Sequence, residues 1–215
     1  MVKHRVKLVL FDMDGTLLQG RTIFVFAEKK GFASELLCIV NSNQASYEKT
    51  IEIATLLRGM YGGELLDIFR TIPLQDDAET VVRALKEKAI HTAIVTNSYQ
   101  FVADDLKTRL GIDYAFANNL IIEKDIVTGD IVLNNHTLRR CDDGIIYSIC
   151  KGDVLDHLCE QLAVSPAEVI AVGDGLIDLG MIKKAGVGIA FNAPEIVNKH
   201  AALSTSDLSV ILDYV

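Results

Sequence analysis

Short apolar runs that stop on polar residues recur along the chain: residues 6–11 end at Asp12, 92–95 at Thr96, and 169–172 at Gly173 and Asp174, with further runs at 114–117 and 187–191. Runs of this length, rich in aliphatic residues and bounded by turn residues, read as strands of a parallel sheet buried on both faces. The stretches between them switch to helical spacing. Ala78, Val81, Val82 and Leu85 form an apolar stripe behind a cap at Asp76 or Asp77, and residues 101–110 stop at Gly111. Val154, Leu155, Leu158 and Leu162 share a face of 151–163, and 178–185 stops at Gly186. Ser165-Pro166-Ala167-Glu168 is a capping box with proline at the first helical position. Alternating strand and helix implies right-handed crossovers, so the expected fold is α/β, a doubly wound parallel sheet.

Two segments depart from the alternation. From Asp12 to residue 91 the chain is helical in character: Ile23, Phe26 and Ala27 recur before Gly31, and Ile51, Ala54 and Leu57 share a face after Ser46, with Gly59, Gly62 and Gly63 as a turn. An inserted helical cap over residues 19–72 is expected, leaving 1–18 and 73–215 as the core and hinges near Leu18 and Pro73. In residues 119–133, Leu120, Ile121 and Ile122, then Ile126 and Val127, then Ile131 and Val132, with Gly129 between, suit a β-hairpin flap.

Composition narrows the class. A chain of 215 residues that is 50% hydrophobic can bury one substantial core and still carry an inserted subdomain. The net charge of −8 disfavours nucleic acid and anionic membrane surfaces as partners. Arg139-Arg140 is followed at once by Asp142-Asp143 and reads as a solvated loop. No apolar stretch approaches the length that crosses a bilayer, and the 6–11 run ends on aspartate without the small-residue cleavage site of a secretory signal. Cys38, Cys141, Cys150 and Cys159 show no Cys-x-x-Cys spacing, so free thiols in a reducing cytoplasm are expected rather than a zinc site or redox pair. His4, His91, His136, His157 and His200 are scattered and receive no role. The expected molecule is cytoplasmic, a monomer or homodimer.

The candidate chemistry lies where the strands end, because open α/β sheets bind ligands beyond the carboxyl ends of their strands. There the chain carries Asp12 and Asp14, then Thr96, Asn97 and Ser98, then Lys151 at the start of a helix, then Asp174 and Asp178. Singly, each reads as a turn, cap or surface residue. Their order and shared position are the specific part. On these residues the chain resembles haloacid dehalogenase superfamily phosphohydrolases over nearly its whole length, most nearly the phosphoserine phosphatase branch. Residues 111–118 are close to that branch, as are 171–175 with 181–186.

The resemblance implies Asp12 as nucleophile, Asp14 as general acid and base, Thr96 and the backbone N–H of Asn97 as phosphate holders, and Lys151 as the phosphate-neutralising cation. It also implies Mg²⁺, with Asp12, Asp174 and the backbone carbonyl of Asp14 as ligands and Asp178 ordering a bound water or Lys151. A carboxylate approaching a phosphate anion meets repulsion of about 1 kcal/mol per charge pair in water and about 4 near a protein surface, which a divalent cation cancels. The implied reaction is hydrolysis of a small phosphorylated metabolite through an aspartyl-phosphate. The same intermediate would serve a phosphotransferase or mutase, and a catalytically inactive phospho-ligand sensor is a further alternative.

Departures from that branch bear on the substrate. Residues 15–27 hold no acid, and Arg21 lies where that branch places a glutamate to receive an ammonium; a like charge there would repel an ammonium unless Glu28 or Glu35 turns inward from the cap. Asn97-Ser98 replaces a pair of small glycines, and Ile177 an asparagine. Arg58, in the cap, is either a bidentate partner for a substrate carboxylate or a solvated helix-end arginine. A small phosphorylated acid, or a broad range of small monoesters, fits at least as well as phosphoserine.

Overall fold

The computed structural model describes residues 5–215; residues 1–4 of the expected core, His4 among them, lie outside the described residues. The chain runs through β1 (Leu8–Phe11), then four helices, α1 (Thr22–Lys30), α2 (Ala33–Val40), α3 (Ser46–Leu56) and α4 (Gly62–Phe69). It continues as α5 (Ala78–Glu87), β2 (His91–Tyr99), α6 (Gln100–Leu110), β3 (Tyr114–Glu123) and β4 (Ile126–Val132). It ends with α7 (Lys151–Leu162), β5 (Val169–Gly173), α8 (Leu179–Lys184), β6 (Val187–Phe191), α9 (Glu195–Asn198) and β7 (Leu203–Thr205).

Among the described residues these strands make one sheet in the order β4-β3-β2-β1-β5-β6-β7, parallel throughout except where β4 runs antiparallel to β3. The order places β1 at the centre, with Phe11 opposite Ile94 of β2 on one side and Val172 of β5 on the other. Successive residues of β1 serve opposite layers. Leu8 and Leu10 pack with Leu155 and Leu158 of α7 and Met181 of α8, while Val9 and Phe11 pack with Val81, Val82 and Leu85 of α5 and with Phe26 of α1. Burial on both faces is why these strands read as apolar runs rather than as alternation. The crossovers put the ends of β1, β2 and β5 side by side, at the point where the chain order of the strands reverses.

Several elements differ in detail from the sequence expectation. Thr96, Asn97 and Ser98 lie within β2, which runs on to Tyr99 through a register shift against β3 between Val95 and Tyr99. The expected short strand and hairpin are continuous: β3 leaves the core and turns into β4 at Lys124 and Asp125, whose φ of 48° and 66° give the backbone twist that a tight hairpin needs. Asp77 precedes α5 with φ 63° and makes no side-chain cap bond. Ser165 and Glu168 do form the capping box, around a single 3-10 turn that leads straight into β5. The short α9 and β7 near the C-terminus have too few apolar residues to announce themselves.

The four helices after β1 form an insert whose two connections run beside each other. Gln19 donates its N–H to the carbonyl of Pro73 at 2.8 Å, and Gln75 donates to the carbonyl of Leu17 at 2.8 Å. The hairpin reaches this insert from the other side: Gly59 N–H donates to the Val127 carbonyl, Val127 N–H to the Met60 carbonyl and Gly62 N–H to the Asp125 carbonyl, at 2.8, 2.9 and 2.8 Å. The turn between α3 and α4 is thereby joined to the sheet through β4.

The cysteines correct the expectation of free thiols. Cys141 and Cys150 are joined as a disulfide, their Cα atoms 5.7 Å apart, while Cys38 and Cys159 are free. The loop after β4 folds back on itself and brings together two residues nine positions apart, a closure that short-range cysteine spacing does not register.

Candidate active site

Asp12 is the first residue beyond β1, its N–H held by the Val172 carbonyl at 2.9 Å, so its buried side chain leaves the sheet between β2 and β5. Lys151, the first residue of α7, is fully buried; its Nζ donates to Asp12 Oδ1 and, at 2.5 Å, to Asp178 Oδ1. Asp178 is fixed further by the N–H groups of Asp174 and Gly175, which donate to its Oδ2 at 3.0 and 2.8 Å. One carboxylate oxygen from each of Asp12, Asp174 and Asp178 lies within 4.8 Å of the others. Three segments distant in sequence thus bring these four charged residues together.

The local sequence makes this approach possible. Gly15 sits at φ +90°, and a Cβ on it would fall 2.4 Å from Asp174 Oδ2. A Cβ on Gly173 would fall 2.4 Å from Asp178 Cγ. Glycine is required at the first position on both conformational and steric grounds, and at the second by lack of space.

One lysine faces three acids, and the electrostatics follow from that imbalance. Burial pushes the Asp12 carboxyl well above its ordinary value, Lys151 opposes the shift, and Asp178 and Asp174 add to it. Asp174 is raised too, by burial and then by Asp178, with Arg21 and Lys151 opposing. Burial acts to lower Lys151, but the combined pull of Asp12 and Asp178 holds its ammonium above the usual lysine range. The cluster is short of positive charge. Its hard oxygen donors, packed within reach of one ion, fit Mg²⁺, which prefers carboxylates completed by water and phosphate oxygens.

Asp14 is bonded to the insert rather than to this cluster. Its Oδ1 accepts from Thr22 Oγ1 at 2.5 Å and from Thr22 N–H at 3.1 Å, at the first turn of α1, where backbone N–H groups favour negative charge. Burial nevertheless pushes the carboxyl up to about 6, against the bonds from Thr22 and the charge of Arg21. Asp14 also lines a cavity of about 70 Å³ together with Ile23, Thr50, Ile53, Asn97, Ser98 and Tyr99, between the insert and the end of β2.

Thr96 is fully buried two residues past Ile94, and its Oγ1 accepts from the Ser98 N–H at 3.2 Å. Asn97 lines the cavity. Arg21 places Nη2 3.2 Å from Asp174 Oδ2, with its side chain 58% exposed. Arg58 is not brought in: it is exposed and lies over Gly129 of β4, where a glycine Cβ would come within 2.8 Å of its Nε. Glu28 and Glu35 are exposed as well, outside the cavity lining.

Sequence reasoning missed two residues. Thr22 is the direct partner of Asp14 and carried no signal beyond its place at a helix start. Asn118, fully buried in β3, donates to the Asn97 carbonyl at 2.8 Å and to Ser148 Oγ at 3.0 Å, and accepts from Asn134 N–H at 3.0 Å. It anchors the bulged end of β2; the sequence marked it only as the last residue of the 111–118 stretch, without a role.

Comparison with known proteins agrees with this arrangement. The family model of haloacid dehalogenase-like hydrolases matches residues 6–186, and the chain belongs to that family. The chain is 33% identical over 209 residues to the phosphoserine phosphatase of Archaeoglobus fulgidus, covering 95% of this chain and 58% of that protein. It is 29% identical over 220 residues to the phosphoserine phosphatase of Methanocaldococcus jannaschii, covering 100% of both. A solved phospho-aspartyl intermediate analogue of phosphoserine phosphatase superposes with a TM-score of 0.82 at 28% identity, covering 98% of this chain and 99% of that one. These relationships mark a hydrolase of phosphoric monoesters. Among the described residues no helix is long and apolar enough to cross a membrane.

Proposed function

We infer that this chain is an Mg²⁺-dependent phosphomonoesterase that works through a phosphorylated Asp12. The observation that carries this reading is the convergence of Asp12, Lys151, Asp174 and Asp178 at the ends of β1 and β5 and the start of α7. Asp12 attacks phosphorus in line while the ester oxygen departs, and water then hydrolyses the acyl phosphate. Asp14 serves both steps, giving a proton to the leaving alkoxide and afterwards taking one from the attacking water. A carboxyl that titrates near 6 suits both halves. Thr96 and the Asn97 N–H hold a non-bridging oxygen, and Lys151 balances charge on the equatorial oxygens. Asp12 and Asp174 would hold Mg²⁺ with Asp178 behind them, and the ion, when bound, would supply the positive charge that lets two anions approach. Arg21 sits at the edge of this site.

The inserted helices over residues 19–72 act as a cap that closes over the substrate and excludes water, and the paired connections at Gln19 and Gln75 are its hinges. The substrate is a small phosphorylated metabolite; the phosphoserine named for the relatives is one candidate. The same reading takes the protein as cytoplasmic, monomeric or homodimeric. Phosphate release from a panel of monoesters with and without Mg²⁺, combined with mass-spectrometric trapping of phosphorylated Asp12 after acid quench, tests it. Metal-dependent release and a labelled Asp12 are expected. Release that is indifferent to chelator, or a label on another residue, would overturn it.

A further inference from the structure

The cavity beside Asp14 has a chemical character that the relatives' names do not give. It opens from the residue that protonates the leaving group, so it is where the alcohol half of the ester lies; this step rests on the phosphomonoesterase reading. Its lining is Ile23, Thr50, Ile53, Asn97, Ser98 and Tyr99, with Asp14 as its one carboxylate and no cation among the described residues. The cations nearest by sequence or by role lie outside this lining, and Lys49, next to Thr50, donates to the Val40 carbonyl at 2.7 Å. Arg21 is paired with Asp174, Lys151 with Asp12 and Asp178, and Arg58 lies exposed against Gly129. A substrate carboxylate in this cavity would meet no cation of its lining and would face Asp14.

An ammonium fares no better. The only acid in the lining is Asp14, and its Oδ1 already accepts from the hydroxyl and the N–H of Thr22. Buried charges without partners are strongly disfavoured, whereas hydroxyl groups find donors and acceptors in Thr50, Asn97 and Ser98, and a short carbon chain packs on Ile23 and Ile53. Size points the same way. About 70 Å³ amounts to a handful of water-sized volumes at roughly 10–15 Å³ each, room for a leaving group of a few heavy atoms.

We propose that the leaving-group pocket of this enzyme is built for small uncharged hydroxylated alcohols, so that its preferred substrates are their phosphate monoesters rather than phosphorylated amino acids. The test compares four esters of similar size with Mg²⁺ present: 2-hydroxyethyl phosphate, phosphoethanolamine, phosphoglycolate and O-phosphoserine. The kcat/KM of the neutral ester should exceed that of each charged one by about fivefold or more, the size of effect that one mismatched group in a site produces. Any smaller ratio, or a charged ester ranking first, overturns the proposal while leaving the phosphatase intact. Release from none of the four, and none from an aryl phosphate, removes the phosphomonoesterase reading and the proposal with it.

A second arm uses Ile23→Glu, in the first turn of α1, where an acid is tolerated by the helix. Placing a carboxylate in the pocket should move the ratio of phosphoethanolamine to 2-hydroxyethyl phosphate by about tenfold towards the amine. An unchanged ratio in a folded variant shows that the alcohol does not lie there. Ile53→Glu repeats the arm from α3, and the comparison of esters on the unmodified enzyme stands whether or not either variant folds.

Discussion

The floor of the site and the pocket above it share Asp14 and little else. The floor is charged, buried and supplied by the sheet: Asp12 after β1, Lys151 at the start of α7, Asp174 and Asp178 after β5, joined by bonds that use both oxygens of Asp178. The pocket is largely uncharged and drawn mostly from the inserted α1 and α3 and the bulged end of β2. The floor can therefore be rebuilt only with its partners, because each charge exists against another, while pocket residues can change one at a time. On the proposed function, phosphoryl chemistry belongs to the first region and choice of alcohol to the second.

If that division holds, the floor should fail abruptly. Asp12→Asn should lower kcat by about 10⁴-fold or more, as loss of a nucleophile does, with an unchanged circular dichroism spectrum. Activity within tenfold of the parent would remove Asp12 from its role and dissolve the distinction. Lys151→Met tests the floor as structure as well as chemistry. It strands two carboxylates in the interior, which costs about 3–5 kcal/mol, and turnover should fall by about 10²–10³-fold. Urea unfolding in chelator and steady-state kinetics measure the two effects; unaltered stability would mean that the buried ion pairs are not what holds α7 to β1.

The same contrast explains what was legible in the sequence. Strand-end residues could be found because backbone geometry fixes them: an apolar run that stops on Asp12 or Asp174 announces both the strand and the place where its side chains emerge. The sheet, its crossovers and the helical insert followed from spacing alone. Residues that act by long-range closure could not be found in this way. Thr22 meets Asp14, and Asn118 meets Asn97 and Ser148, through contacts that no local pattern encodes. The Cys141–Cys150 pair depends on a loop with no periodicity. Arg58 had the right chemistry in the right segment, but its helix end turns it onto Gly129.

Asp14, the shared residue, should behave as a strained member of both regions. Its carboxyl titrates near 6 when folded and near 3.8 in the unfolded chain, so the folded state binds the proton more tightly. The penalty for ionising it is absent below about pH 4, grows between about pH 4 and 6, and is constant above that. Asp14→Asn removes the penalty. In chelator the variant should gain stability over the parent across that window, levelling at no more than about 3 kcal/mol for a partly covered group. Urea midpoints at pH 4, 5, 6 and 8 check the sign, and a gain that is the same at all four would show that Asp14 ionises without strain.

Arg21 gives the smallest effect and the finest resolution of the boundary. Its guanidinium donates to Asp174 Oδ2, on one of the three carboxylates that could hold an ion, yet the side chain is 58% exposed, so the pair is worth no more than about 1 kcal/mol. An arginine that only shares Asp174 competes with the metal for it. Arg21→Ala should then tighten Mg²⁺ binding by up to about fivefold, with the order of preference among phosphate esters unchanged. Calorimetric titration of Mg²⁺ into the substrate-free protein reads this without reference to turnover. If the variant instead binds Mg²⁺ as the parent does and loses affinity for every ester alike, Arg21 is a phosphate ligand, and the floor extends one residue further into the insert than the division drawn here allows.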